Sequence, residues 1–458
     1  MTAANVEQGN KILRVLVFAL IFSVMNGTMF NVALPMIGNE FTLKPSELSW
    51  IMTSYMVLYA IGSVVYGKLA DRFQLKTLLT FGLIIFAVGS VIGMSASHYW
   101  MIVLGRIVQA AGAAVMPATS MIIPIRYFPA EQRGRALGTS AIGLALGSAL
   151  GPVVAGAISG LGSWRLLFVF SLLSLVTLPF FRKYLGNDPV KSIKIDYIGG
   201  GLLGSSVALL LLAITQTNIV LALLFVVVTL LFIVRIKLAK EPFIQPMLFT
   251  NRYFVMALCI AFITTAMNFA LTFISPQFLA KLNDLSASSI GFVLFPAAIA
   301  SALLGRVGGK LADARGNRYL MLLASSLMLI CYVLLSSFVG AVPYLIAGIL
   351  IFGNIGQTFM QITMSNTISR TLKQEQVGVG MGLFSMMNFI SGAISMSVIG
   401  KLLDQQKISM AVNPFVKEAA AYMYSNIFAM MGLLVIVSFI LYRIQFKDNG
   451  ALVRKSAG

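Results

Sequence analysis

Arg106 is the one charged residue that lies well inside an apolar run of membrane-spanning length. A charge at such a depth costs at least ~2.5 kcal/mol, so its side chain must face a partner, the bundle interior or a water-filled path. Gln109 follows at i+3 on the same helical face. A second polar stripe runs through Asn354, Gln357 and Gln361, at i, i+3 and i+7 of an otherwise apolar segment. Two readings are open for each group. The arginine is either held structurally by backbone carbonyls and neighbouring amides, or it belongs to a solute site. The stripe either glues helices together or lines a cavity, with Asn26, Tyr55, Tyr59 and Asn268 contributing from other segments.

Residues suited to catalysis are scarce. Gly62-Ser63-Val64-Val65-Tyr66-Gly67-Lys68 follows a phosphate-binding loop as far as its lysine, but Leu69 stands where that loop needs Ser or Thr for magnesium. Its glycines also lie in an apolar segment, with no strand-to-helix turn to cradle a phosphate. Gly378-Val379-Gly380-Met381-Gly382 is better explained by close helix contact. His98 is the single histidine, and no Cys, His or carboxylate cluster has metal-ligand spacing. Cys259 and Cys331, on separate apolar segments, read as packing residues. The expectation is a protein without enzymatic activity, cofactor or metal.

The segments that must position these residues are apolar and long. Hydrophobic residues make up 59% of the chain and charged residues 10%, too few charges to cover a soluble protein of this size. About fourteen stretches reach the roughly 20 apolar residues that a membrane-crossing helix needs. They include Ser49 to Leu69, Tyr99 to Pro124, Leu166 to Phe181, Ile290 to Leu311 and Tyr319 to Phe338. The net charge of +19 is not massed on one face, as nucleic-acid binding would require. Instead 26 of the 33 Lys and Arg fall in alternate connections on one side and six on the other, with Arg106 in between. That asymmetry predicts a multi-pass cell-membrane protein with both termini cytoplasmic. Lys11 and Arg14 precede an apolar run that reads as an uncleaved first span.

Gly67-Lys68-Leu69-Ala70-Asp71-Arg72 closes the second span, and Gly309-Lys310-Leu311-Ala312-Asp313-Ala314-Arg315 closes the tenth. If spans seven and eight are an insertion, both copies follow the second helix of a six-helix block. The expected fold is therefore an all-α polytopic membrane protein of fourteen transmembrane helices, two six-helix halves plus an inserted helix pair. Its boundaries are 1–188, 189–250 and 251–458, with the site between the halves.

Taken with Lys76, the Gly67–Arg72 segment resembles the loop signature of the major facilitator superfamily, with Gln74 where that family usually has glycine. Arg106, Gln109 and Gly112 are similar to its fourth-helix motif. Gly147 to Pro152 with Gly156, extended back to Gly143, resembles the fifth-helix motif of its antiporters. Asn26-Gly27-Thr28 and Asn31-Val32-Ala33-Leu34-Pro35 resemble the first-helix signature of the fourteen-helix drug/proton antiporter branch, which contains bacterial tetracycline and multidrug efflux proteins. The sequence departs from that branch in its acids. Asn26 and Gly27 stand where the first helix often carries a carboxylate, and Ser148 where close tetracycline exporters carry another.

The resemblance implies a secondary exporter of small amphipathic molecules that works by alternating access as a monomer, with protons as the coupling partner and membrane lipid as the solvent. Asp71, Arg72, Arg133, Arg135 and Asp313 are the expected cytoplasmic gating and coupling residues, and Glu40 the outer-side acid. The alternative is a flippase for lipids or lipid-linked precursors, for which Met360, Met364, Met386 and Met387 would give a wide apolar lining. With no acid near Arg106, neutral, anionic or metal-complexed solutes are favoured over strongly cationic ones.

Overall fold

The computed structural model describes residues 3–186, 196–239, 242–373, 376–405, 410–416 and 418–446. These form helices and short 3-10 turns, and among the described residues there is no strand. The helices are α1 (Ala3–Phe41), α2 (Pro45–Arg72), α3 (Leu75–Met94), α4 (Tyr99–Ala113), α5 (Val115–Tyr127), α6 (Ala130–Ser159), α7 (Leu166–Ser171) and α8 (Thr177–Tyr184). They continue as α9 (Tyr197–Gln216), α10 (Ile219–Leu238), α11 (Arg252–Leu282), α12 (Ala287–Phe338), α13 (Pro343–Arg370), α14 (Val377–Asp404) and α15 (Tyr422–Gln445). Among the described residues, thirteen helical stretches are long and apolar enough to cross a membrane.

Two expected spans are divided and two are fused into one, each for a local reason. Pro117 lacks the N–H that would reach the Ala113 carbonyl, and the expected span Tyr99 to Pro124 is split at Ala114 into α4 and α5. Pro179 similarly cannot donate to Leu175. The chain from Leu172 to Val176 tightens into a 3-10 turn between α7 and α8, and the Ser171 and Thr177 hydroxyls bond back to the Leu167 and Ser174 carbonyls. The third case is α12, where hydrogen bonding runs through 52 residues but Gly316 has φ 80° and ψ 163°. That conformation is open essentially to glycine alone, and it breaks the segment between Arg315 and Asn317. The two signature segments are helical throughout: α2 continues to Arg72, and α12 stays helical up to Gly316.

The chain divides into two compact units, Met1–Leu43 with Trp50–Leu210 and Val220–Phe243, and Lys44–Ser49 with Leu211–Ile219 and Ile244–Gly458. In the first unit a buried apolar cluster joins α1, α3, α5 and α8 through Leu16, Leu20, Leu79, Leu83, Ile123 and Phe181. In the second, α14 is stitched to α11 by hydroxyls spaced a turn apart: Ser391 donates to the Phe262 carbonyl and Ser395 to that of Ala266, each at 2.6 Å. Lipid supplies no hydrophobic drive between helices, so such small polar contacts and close packing hold the bundle.

Candidate functional site

Glycine packing brings Arg106 into position. On α4, a Cβ added at Gly105 would lie 2.8 Å from the Gly93 amide nitrogen of α3, and one at Gly82 would lie 2.9 Å from the Gly112 carbonyl oxygen. The two backbones therefore touch, and Arg106 and Gln109, next along α4, are both fully buried.

The Arg106 guanidinium is ringed by neutral groups. It donates to the Asn26 side-chain oxygen at 2.7 Å, the Gln109 side-chain oxygen at 3.1 Å and the Ile51 carbonyl at 3.3 Å. Phe30 and Tyr55 lie against it, with ring centroids 4.4 and 3.9 Å from the guanidinium carbon, as a weakly hydrated planar cation favours. A further layer holds these partners: the Asn26 amide donates to Ser171 Oγ at 2.5 Å, the Gln109 amide to Ser90 Oγ at 2.8 Å, and Tyr59 stacks on Tyr55 at 5.5 Å.

Asn26, Tyr55 and Tyr59, which the sequence set beside the Asn354 stripe as cavity-lining residues, thus form one cluster with Arg106 and Gln109. Nothing in it neutralises the arginine. Several polar atoms on its helices are also left over: Arg106 Nη2, the Tyr55 hydroxyl, Asn31 Oδ1, Thr53 Oγ1 and Ser54 Oγ are buried without a hydrogen-bond partner. Unpaired buried polar atoms cost about 1–3 kcal/mol each, and a concentration of them on three helices marks where a polar ligand or water belongs. A guanidinium stays charged, so Arg106 can hold an anionic or electron-rich aromatic group and cannot itself release and rebind a proton.

In the second unit Gln357 is buried, donates to the Thr264 carbonyl at 3.4 Å and leaves its own oxygen unpaired. Asn354 and Asn268 are half-buried and Gln361 is exposed. The expected site residues thus fall in two separate units, the Arg106 cluster in the first and Asn268, Asn354, Gln357 and Gln361 in the second.

Of the expected coupling residues, Glu40, Arg72 and Asp313 have described side chains. Glu40 forms an ion pair with Arg165 at 2.8 Å and accepts from the Trp164 indole, while Arg165 also donates to the Ala96 carbonyl at 2.8 Å. Its carboxylate is therefore engaged in tying the end of α1 to the connections around it. Arg72 is exposed over Phe73, and Asp313 is exposed on α12. The side chains of Asp71, Arg133 and Arg135 lie outside the described residues. In α6, Gly143, Gly147 and Gly151 face α1: a Cβ would meet the Val17 carbonyl, the Ile21 carbonyl and Thr28 Oγ1 respectively. Pro152 and the buried Gly156 follow in the same helix.

Sequence reasoning missed Asp196. It caps α9, accepting the Gly199 N–H at 3.0 Å, binds Arg235 of α10 through two guanidinium nitrogens at 3.0 and 3.1 Å, and accepts the Phe243 N–H at 3.3 Å. Burial alone would raise its pKa, but the Gly199 N–H, Arg235 and the Phe243 N–H outweigh this and hold it below the ordinary carboxylate value. Lys68, from the second-helix signature, donates to the Pro242 carbonyl at 3.1 Å and sits over the Phe243 ring at 5.6 Å. The helix pair is thereby latched to α2. The available signal was an Asp directly before a glycine-rich helical run, a helix-cap pattern.

With this architecture in place, a sequence model of the Major Facilitator Superfamily matches residues 16–396. The chain belongs to the major facilitator superfamily. As a member, it is a multi-pass membrane transporter. Among curated superfamily relatives, the riboflavin transporter RibZ of Clostridioides difficile (strain 630) is 25% identical over 425 residues, covering 91% of this chain and 92% of that protein. Multidrug resistance protein 3 of Bacillus subtilis (strain 168) is 29% identical over 336 residues, 70% of this chain and 65% of that one. Among solved superfamily-like structures, the nucleoside transporter NupG superposes with TM-score 0.68 at 12% identity, covering 95% of this chain and 99% of that chain. A bacterial homologue of the human lysosomal transporter Spinster gives 0.67 at 14% identity and covers 98% of both chains.

Proposed function

We propose that this protein is a secondary exporter of small amphipathic, aromatic molecules that are neutral or anionic, working by alternating access between its two units. The observation that carries this reading is the buried Arg106, sandwiched by Phe30 and Tyr55 and surrounded by amides with no carboxylate among its partners. An uncompensated guanidinium between aromatic faces favours π-rich solutes with carbonyl or acidic oxygens and disfavours cations. Likeness to a riboflavin transporter and to a multidrug resistance protein supports that solute class. The glycine stripe and Pro152 of α6 support the export direction, through their resemblance to the antiporter motif.

In this reading α12 is two crossings joined at Gly316, which makes fourteen, and both termini are cytoplasmic. The helix pair α9–α10 is an insertion between two six-helix halves. Asn26, Tyr55, Tyr59, Arg106 and Gln109 contact the solute from one half, and Asn268, Asn354, Gln357 and Gln361 from the other. Proton coupling runs through acids at helix ends, Asp71 and Asp313, with Arg72, Arg133 and Arg135 as their partners, because Arg106 cannot titrate. The protein acts as a monomer.

The test is solute accumulation in cells that lack and cells that express the protein, across flavins, tetracyclines, organic anions and quaternary dyes. Expression lowers accumulation of the neutral and anionic aromatic members. Equal accumulation of every solute in both cell types contradicts the proposal.

A further inference from the structure

Where α12 restarts after Gly316, its first turn meets the last turn of α15 around a cavity of about 470 Å³ lined by Arg315, Arg318, Tyr319, Leu322, Phe439, Tyr442 and Arg443. The three arginines are exposed. Among the described residues none of them is paired with a carboxylate, and the Arg315 guanidinium stacks on the Tyr319 ring at 4.8 Å. A stacked guanidinium is already ordered, so less entropy is lost when it takes an oxyanion. The wall is of the opposite character. Tyr442 has its hydroxyl committed to Thr367 Oγ1 at 3.0 Å and presents its ring, beside Phe439 and Leu322. Past the cavity the outer face of α15 stays apolar and exposed through Ile436, Val437 and Ile440.

We propose that this cavity binds the phosphate headgroup of an anionic phospholipid. The three guanidinium groups take the phosphate oxygens, the aromatic wall takes the glycerol region, and the exposed strip of α15 takes the first acyl methylenes. A soluble anion would satisfy the arginines but leave the apolar wall uncovered. A zwitterionic lipid would bring an ammonium into a basic rim. The assignment rests on the placement of this end of the helices at the cytoplasmic leaflet, whose anionic lipids attract basic groups, and it is independent of which solute is transported.

The test uses the full-length protein in detergent with phosphatidylglycerol, phosphatidylcholine or inorganic phosphate added at equal concentration, read by native mass spectrometry of retained lipid and by thermal melting. Phosphatidylglycerol is retained and raises the melting temperature; phosphatidylcholine and inorganic phosphate do neither. Replacing Arg315, Arg318 and Arg443 together by Gln weakens lipid retention about a hundredfold, from roughly fivefold per arginine near an anionic surface. Arg182→Gln with Lys183→Gln, an exposed basic pair ending α8, leaves it unchanged. Should the triple variant misfold, Leu322→Trp, which fills the cavity and keeps every charge, also reduces retention. Equal retention by the wild type and the cavity variants, equal loss in the α8 control, or stabilisation by inorganic phosphate matching that by lipid overturns the proposal.

Discussion

The Arg106 guanidinium donates to the Asn26 side-chain oxygen at 2.7 Å across α4 and α1, both residues being buried. A neutral amide therefore stands where an acid would cancel the charge. Asn26→Asp places a carboxylate at that point, and a charge-assisted pair gains about 1.5–3 kcal/mol. The expected outcome is at least a tenfold loss in export of anionic aromatic solutes, with gained acceptance of cationic dyes. Competition kinetics across both classes check it; an unchanged preference would show that the charge of this cluster does not select solutes.

Tyr55 separates a binding role from a structural one. Its hydroxyl is buried and unpaired while its ring stacks on Arg106 and Tyr59. Tyr55→Phe keeps the ring and removes a polar atom whose burial costs about 1–3 kcal/mol. The melting temperature is expected to hold or rise, while solute affinity drops severalfold. Loss of stability with unaltered affinity would make the hydroxyl structural.

Asp196 gives a pH signature. Its carboxylate is held below the ordinary 3.8 by the Gly199 N–H, Arg235 and the Phe243 N–H acting against burial. The stabilisation it contributes is fully present above 3.8 and is lost as pH falls through the lower folded-state value. Asp196→Asn is expected to cost roughly 1.5–3 kcal/mol at neutral pH and to flatten the acid limb of a stability profile in detergent. A variant as stable as the wild type at pH 7 would remove the latch.

The architecture was largely legible because membrane helices announce themselves by length and apolar composition. The Arg106 cluster was legible in part: a buried charge needs partners and Gln109 at i+3 was one, whereas Asn26 and Tyr55, set by the sequence beside the Asn354 stripe, join Arg106 only in the fold. What stayed hidden was tertiary. Nothing local shows that Glu40 is taken by Arg165 and Trp164, from a connection more than a hundred residues away. The Asp196 network joins three segments separated by linker sequence, and periodicity carries no trace of it. The division of α12 into two spans was legible from the polar run between Lys310 and Arg318, but not that the helix is carried on to Gly316 and broken there by one glycine's positive φ.

The glycines divide by what their missing Cβ would meet. At Gly112 it would overlap the Gly82 carbonyl and the Phe86 amide, backbone atoms that cannot turn aside, whereas at Gly67 it meets nothing within 4 Å. Gly112→Ala is expected to cost about 1–3 kcal/mol through overpacking, and Gly67→Ala to be neutral or to gain up to about 1 kcal/mol of helix propensity. Thermal melts of the two variants compare them directly, and equal destabilisation would contradict the packing described for α3 and α4.

The most direct test of the account is flux in proteoliposomes under an imposed pH gradient, comparing a flavin-sized neutral or anionic aromatic solute with a permanent dication. The gradient is expected to drive the first solute and leave the second outside, with Arg106→Gln abolishing the difference. Flux of the aromatic solute that ignores the gradient, or preferred uptake of the dication by the wild type, would contradict the account.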